Sequence, residues 1–388
     1  MSTQRESRSV PLVYDEDERL LDKEAGAFLS EHAGPAELRR LRDTHDPDGF
    51  SRALWRQMVA LGWAGLLVDE QYGGLGFTCA GAGILSEHCG RTLAASPLFA
   101  TAIVAATLIG RLASARQRQQ LLPALAAGER LCALAIDERA RHDPSAVELS
   151  ATPDGGGFCL DGGKCFVIDA HVADLLLVVA RSNPASSGTA GLSVFAVPRQ
   201  IPGLHVERTL LLDSRNAANL HFDGVRVGAD ALLGEPGRAW PALEYTLDVA
   251  RVCAAAEQLG IAGEAFARTV EYLKQRRQFG RAIGEFQALQ HRAAQLFCEI
   301  ELARSAVLRA LRALDAGDSR LAALASVAKV KAGDAATLAV NEAVQMHGGI
   351  GMTDAIDIGL FMKRAASLRQ LFGDSYYHTD RYATLAGY

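Results

Sequence analysis

Two short stretches in the C-terminal third carry side chains suited to holding a large anionic ligand. They are Arg276-Arg277-Gln278-Phe279-Gly280 and, about seventy residues on, Gln345-Met346-His347-Gly348-Gly349-Ile350-Gly351. Arginine offers a rigid fork of donors that matches phosphate oxygens. Paired glycines let a backbone approach a ligand where a Cβ would intrude. Taken singly, Arg276 also reads as a helix-end cation favoured by the dipole, and the glycines as helix stops. Further on, Gly373-Asp374-Ser375 reads as turn and helix N-cap chemistry. His378 is of a type that can titrate near neutrality, but its place amid Tyr376, Tyr377 and Asp380 favours a packing or surface role.

The elements that must position these residues fall into three zones. To about Glu129 the chain reads as helical, with candidates over Asp15–His32, Phe50–Leu61, Ala80–Leu93, Pro97–Leu112 and Ala115–Ala126. A glycine-dense loop from Gly62 to Gly76 lacks the Gly-x-Gly-x-x-Gly spacing and a preceding strand, which excludes a Rossmann reading. After Leu131 short apolar runs separated by Gly, Asp, Asn and Pro predict strands over Phe158–Leu160, Phe166–Ile168, Leu175–Ala180, Leu192–Val197, Leu204–Arg208 and Ala218–Phe222. A β-barrel or sandwich is expected there. From about Gly237 helix returns. Leu289, Ala293, Leu296, Ile300, Ala303 and Val307 recur at steps of four and three, one face of a helix in a four-helix bundle. Gly280, Gly317 and Gly348 read as helix stops. The expected division is 1–129, 130–235 and 236–388.

At 388 residues the chain exceeds one ordinary core. Apolar residues at 49%, charged residues at 22% and a net charge of −5 without a basic block fit a globular protein and give no support to nucleic-acid binding. The segment Met1–Val10 has charged side chains and no apolar run, so no secretory signal is expected. Thr92–Gly110 is uncharged and near spanning length, but Pro97, Gly110 and three threonines favour a buried helix over a membrane span. Seven scattered cysteines include no Cys-x-x-Cys, which predicts reduced, mostly buried thiols in a cytoplasmic protein. No metal cluster and no Ser/His/Asp constellation is present in the pattern.

Arg276-x-x-Phe279-Gly280, then Phe286-Gln287, then Gln345-x-x-Gly348-Gly349-x-Gly351, set in a helix–strand–helix order, resemble the acyl-CoA dehydrogenase family. The resemblance covers nearly the whole chain and implies FAD as cofactor, an acyl-CoA substrate and an electron-transfer flavoprotein as acceptor. It implies that Arg276 meets the FAD pyrophosphate and that Phe279 and Gln287 lie near the nucleotide. Gln345, Gly348 and Gly349 would support the AMP half, all across a subunit interface.

The resemblance also exposes departures. The family's base is a glutamate in Glu-Gly-Thr, which here is Gly373-Asp374-Ser375, or a glutamate on an earlier helix, which here is Ala250 before Arg251. Both positions lack a carboxylate, and Asp374 is one residue out of place. The family's Thr-Glu-Pro is Asp137-Glu138-Arg139 here, its Gly-Ser-Asp lies at Arg141-His142-Asp143-Pro144, and its Trp-Ile-Thr is Phe166-Val167-Ile168. Three readings follow. A related chain carries the base and this one completes its FAD site in a heterotetramer; or the chain is a homotetrameric dehydrogenase or oxidase using Asp374 or another base; or it is a non-catalytic scaffold.

Overall fold

The computed structural model describes residues 12–388. Met1–Val10, read above as carrying no signal, lie outside the described residues. The first stretch is helical: α1 Glu16–His32, α2 Pro35–Asp43, α3 Arg52–Ala60, α4 Cys79–Thr92, α5 Ala106–Leu112 and α6 Ala115–Ala126, with a π-helical segment Leu98–Ala105 leading into α5. Local chemistry sets the starts. Asp15 and Glu18 exchange side-chain and backbone bonds at 2.9 and 3.0 Å to open α1, and Ser114 with Gln117 does the same for α6. Helix α2 is an addition to the expected set. Its PAELRRLRD sequence is so polar that only Leu38 and Leu41 face the core.

The strands are β1 Cys132–Ala135, β2 Ser150–Asp154, β3 Gly157–Ile168, β4 Leu175–Arg181, β5 Leu192–Pro198, β6 Leu204–Leu210, β7 Asn216–Gly228 and β8 Leu232–Leu233. They form one sheet ordered β6-β7-β3-β2-β4-β5-β8, with β1 beside β4. The two runs expected at Phe158–Leu160 and Phe166–Ile168 are one strand, β3. It shifts register against β7 after Leu160 and again after Lys164, and such bulges bend a strand. The sheet is open, which corrects the barrel expectation. Its end strands β6 and β8 do not pair, and β2 meets β4 through the single pair Ser150↔Arg181 because β1 occupies the rest of that edge. Leu160, Leu176, Phe195 and Phe222 centre its core.

Three long helices follow: α7 Trp240–Gln275, α8 Gln287–Ala316 and α9 Leu321–His347, joined by α10 Ile358–Gln370 and α11 Ser375–Ala386. Between α7 and α8 a two-stranded turn pairs β9 Arg277–Gln278 with β10 Arg281–Ala282. Gly280, at φ +79°, therefore turns this hairpin and stops no helix; α7 has already ended at Gln275. Gly317 and Gly348 do terminate α8 and α9. On α8 the stripe from Leu296 to Val307 is buried as its spacing predicts, while Leu289 and Ala293 are half-buried.

Every residue of α7 from Thr246 to Ala262 is buried, so this helix is enclosed on all sides. Crossing at Gly90 and Gly260 allows α4 to come close, since a Cβ on either would fall within about 2 Å of a backbone oxygen across the contact. A buried helix with charges must pair them. Asp248 bonds Arg251 and Arg381, and Glu257 bonds Arg215 and Arg364. Burial alone would raise Glu257, but Arg215 and Arg364 outweigh it and hold the carboxyl below its usual range. Among the described residues no helix is long and apolar enough to cross a membrane.

Candidate functional site

The residues singled out in the sequence occupy two separate places. The first is the outer surface where α7 and α9 end side by side. Tyr272 stacks on His347 with ring centroids 4.3 Å apart, and its hydroxyl donates to the His347 carbonyl at 3.3 Å. This joint brings Arg276, the cap residue after α7, to the same region as the Gly348-Gly349 turn after α9. Arg276, Phe279, Gln287, Gln345, Gly348 and Gly349 are all exposed, and Phe279 is 91% exposed with φ +53°. Among the described residues the side chains of Arg276, Gln287 and Gln345 have no hydrogen-bond or ion-pair partner. A Cβ built on Gly348 or Gly349 would meet nothing within 4 Å, in contrast to Gly351, where it would strike the Val344 carbonyl at 2.6 Å.

The second place is a cleft of about 440 Å³ between the sheet and α10. Phe166 and Ile168 from β3, Leu211 and Leu212 from the β6–β7 turn, and Ser367, Gln370, Leu371 and Phe372 line it. Phe166 (φ +52°) and Phe372 (φ +56°) both hold left-handed backbone, a strain that clusters at functional sites. Asp137 and His142 sit at its inner wall. The Asp137 carboxylate meets His142 Nδ1 at 2.8 and 3.0 Å, and His142 Nε2 lies 3.1 Å from Arg251 Nη2. A neutral imidazole with its proton on Nδ1 satisfies both contacts. Burial lowers the His142 pKa, although Asp137 pulls the other way.

Asp374 is not in this cleft's lining. It is the N-cap of α11, accepting from the Tyr377 N–H at 2.8 Å. Ala250 is fully buried on α7. Gly373 has φ +112°, and a Cβ there would lie 2.4 Å from Tyr377 and 2.9 Å from His378. His378 is wholly buried, with Nδ1 3.3 Å from Ser326 Oγ. Burial, with Arg251, Lys329 and Arg381 nearby, pushes it down to about 2, well away from neutrality and in keeping with a packing role.

Several important side chains carry no motif. Lys329 on α9 is buried and donates to the carbonyls of Leu368, Arg369 and Gly373 at 2.8, 3.2 and 3.1 Å. It pins the backbone that presents Leu371 and Phe372, and burial pushes its ammonium down to about 7. Arg251 donates to Phe372 O, Asp248, His142 and Tyr377. Both sit in alanine-rich helical runs beside other charges, Asp248 near Arg251 and Lys331 near Lys329, so the sequence alone does not single them out. All seven cysteines are free; Cys89, Cys132 and Cys253 are buried, Cys298 is exposed and the rest are half-buried, fewer buried than expected. No group of three or more potential metal ligands occurs among the described residues.

The two places fit an FAD, each in part. The cleft is roomy and apolar enough for a flat ring, and the outer patch presents unpaired donors and open glycines but no enclosure.

Three family models match in chain order: the acyl-CoA dehydrogenase N-terminal domain over residues 15–129, its middle domain over 132–225 and its C-terminal domain over 237–384. The probable acyl-CoA dehydrogenase YngJ of Bacillus subtilis is 32% identical over 308 residues, 78% of this chain and 81% of that protein. Butyryl-CoA dehydrogenase from Megasphaera elsdenii superposes with a TM-score of 0.89 at 26% identity, covering 97% of this chain and 100% of the other. A variant of the steroid enzyme Tcur3481-Tcur3483 gives a TM-score of 0.84 at 34% identity over 96% of this chain and 98% of its own. With all three domains matched across almost its full length, the chain belongs to the acyl-CoA dehydrogenase family of FAD-dependent oxidoreductases.

Proposed function

We propose that this chain is a subunit of an acyl-CoA dehydrogenase assembly, completing the FAD site of a related chain that carries the catalytic base. The observation that carries this reading is Gly349. Its backbone is not left-handed and its absent Cβ would touch nothing in this chain, so neither conformation nor internal packing calls for glycine. A ligand or neighbour approaching from outside does call for it. Arg276, Phe279, Gln287 and Gln345 stand exposed around the same two helix ends. Arg276 would fork onto the pyrophosphate, Phe279 and Gln287 would flank the nucleotide, and Gln345 with Gly348-Gly349 would support the AMP half.

FAD, when bound, accepts hydride from the acyl β-carbon while a base takes the α-proton. At neither family position does this chain place a base: Gly373 and Ala250 have no carboxylate, and the neighbouring Asp374 is engaged as a helix cap. The name of Tcur3481-Tcur3483 is that of a pair and of a steroid enzyme, which supports a two-chain assembly and a bulky acyl-CoA. The acceptor would be an electron-transfer flavoprotein and the setting cytoplasmic, as the family resemblance and the free thiols suggest. The units 1–129, 130–235 and 236–388 would be the working domains.

The test is Arg276→Ala in the complex purified with its related chain. Loss of a charge-assisted contact weakens FAD binding by about tenfold or more, with both chains still assembled. Unchanged flavin content and turnover would instead favour a scaffold role.

A further inference from the structure

Extending the half-site reading to this chain's own cleft, on which reading it rests, we infer that the cleft is closed to acyl thioesters. The space between its ring-sized opening and the two family positions for a base is filled by a buried junction built on Arg251 and His142.

Arg251, 1% exposed, uses its whole guanidinium. Nε donates to the Phe372 carbonyl at 3.1 Å, Nη1 to Asp248 at 2.9 Å, and Nη2 to the Tyr377 hydroxyl at 3.0 Å and to His142 Nε2 at 3.1 Å. The His142 ring in turn meets Phe372 and Tyr377 edge-on, with centroids 5.9 and 5.2 Å away, and is tied to Asp137. Groups from the β domain and from α7, α11 and the loop before it thus converge on one point. Both base positions border it: Ala250 precedes Arg251, and Gly373 follows Phe372.

The volumes agree. The space adjoining the cleft shares Asp137, Phe166, Ile168 and Phe372 with it and is also lined by Phe99, Val104, Leu134 and Ile136. It holds only about 20 Å³, room for about one water. Phe99 and Phe372 stack there at 6.2 Å. An acyl chain entering from the outer cleft would have to displace Phe372, whose carbonyl is held by Arg251 and whose flanking backbone is held by Lys329. A glutamate at Gly373 would meet Tyr377 and His378 before reaching the cleft. Loss of the base and loss of the room for its substrate therefore go together in this chain.

Carbethoxylation of histidines by diethyl pyrocarbonate tests this without relying on turnover. The full chain, carrying whatever FAD it retains, is labelled at pH 7 with and without butyryl-CoA and read by peptide mass spectrometry. His205 and His221, exposed on β6 and β7, report the unhindered rate. A closed junction predicts that His142 reacts more slowly by about tenfold or more, with butyryl-CoA making no difference. Labelling of His142 at the surface rate overturns the inference, whether or not butyryl-CoA protects it. Tyr377→Ala supplies a positive control by opening the junction and speeding His142 labelling. Should that variant fail to fold, the comparison within the native chain still decides. The flavin content of the Arg276→Ala complex is independent of this result, so the closed cleft and the half-site reading fail separately.

Discussion

Tyr272 and His347 stack at 4.3 Å, with the tyrosine hydroxyl on the histidine carbonyl, and so lock the end of α7 to the end of α9. Two motifs about seventy residues apart in sequence thereby become one surface patch. His347 also bonds the Ala343 carbonyl through Nδ1 at 2.7 Å, which fixes its ring. Tyr272→Ala removes the stack and leaves the patch unaligned. The expected outcome is a folded chain whose complex holds less FAD, a loss seen by flavin absorbance against protein. Tyr272→Phe, which keeps the stack, should retain most of it.

Asp374 separates cap from base. As an N-cap it tolerates asparagine, which offers the same acceptor, so Asp374→Asn should leave complex activity and stability nearly unchanged. Asp374→Ala should cost about 1 kcal/mol of stability with turnover retained. Abolished activity in the asparagine variant with flavin intact would make Asp374 a base.

Gly373→Glu restores the family's carboxylate in name only. With φ +112° and Tyr377 at 2.4 Å from the new Cβ, the side chain has to displace its surroundings. Lower thermal stability and no desaturation by the chain alone are expected, measured by calorimetry and dye reduction.

Lys329→Met leaves the carbonyls of Leu368 and Gly373 buried without their donor. A loss on the order of 3 kcal/mol is expected in denaturant unfolding, with the segment from Leu368 to Gly373 gaining hydrogen exchange before the rest of α10.

His378 gives a pH signature. Its folded pKa is depressed by burial to about 2 against 6.5 unfolded, so between those values the unfolded chain binds the extra proton. Its contribution is present above about pH 6.5 and is lost as pH falls. From pH 7 to pH 5 this amounts to about 2 kcal/mol. Asp169, raised by burial to about 7, runs the opposite way over part of that range. The clean measurement is therefore the difference between wild type and His378→Asn, whose stability should fall less steeply on acidification.

Where periodicity was strong, the fold was legible in the residues. The α8 stripe through Leu296, Ile300, Ala303 and Val307 and the buried helical character after Pro97 both follow from apolar spacing. Helix α2 escaped because its apolar face is two leucines wide, and β1 and β8 because four and two residues carry no alternation. The barrel expectation failed for a topological reason, since strand count says nothing about whether the edges meet. Of the site, the outward patch was readable because it rests on local motifs. The junction was not: Arg251 lies 109 positions from His142 and 126 from Tyr377, and only the folded chain brings an arginine in an alanine-rich helix to a histidine in a loop.

The most direct test is bound FAD per chain, with native mass, for this protein expressed alone and together with a related chain carrying the glutamate. The half-site reading predicts little FAD alone and about one per pair on co-expression, with acyl-CoA desaturation appearing only in the pair. One FAD per chain in a homotetramer that desaturates acyl-CoA unaided would contradict it.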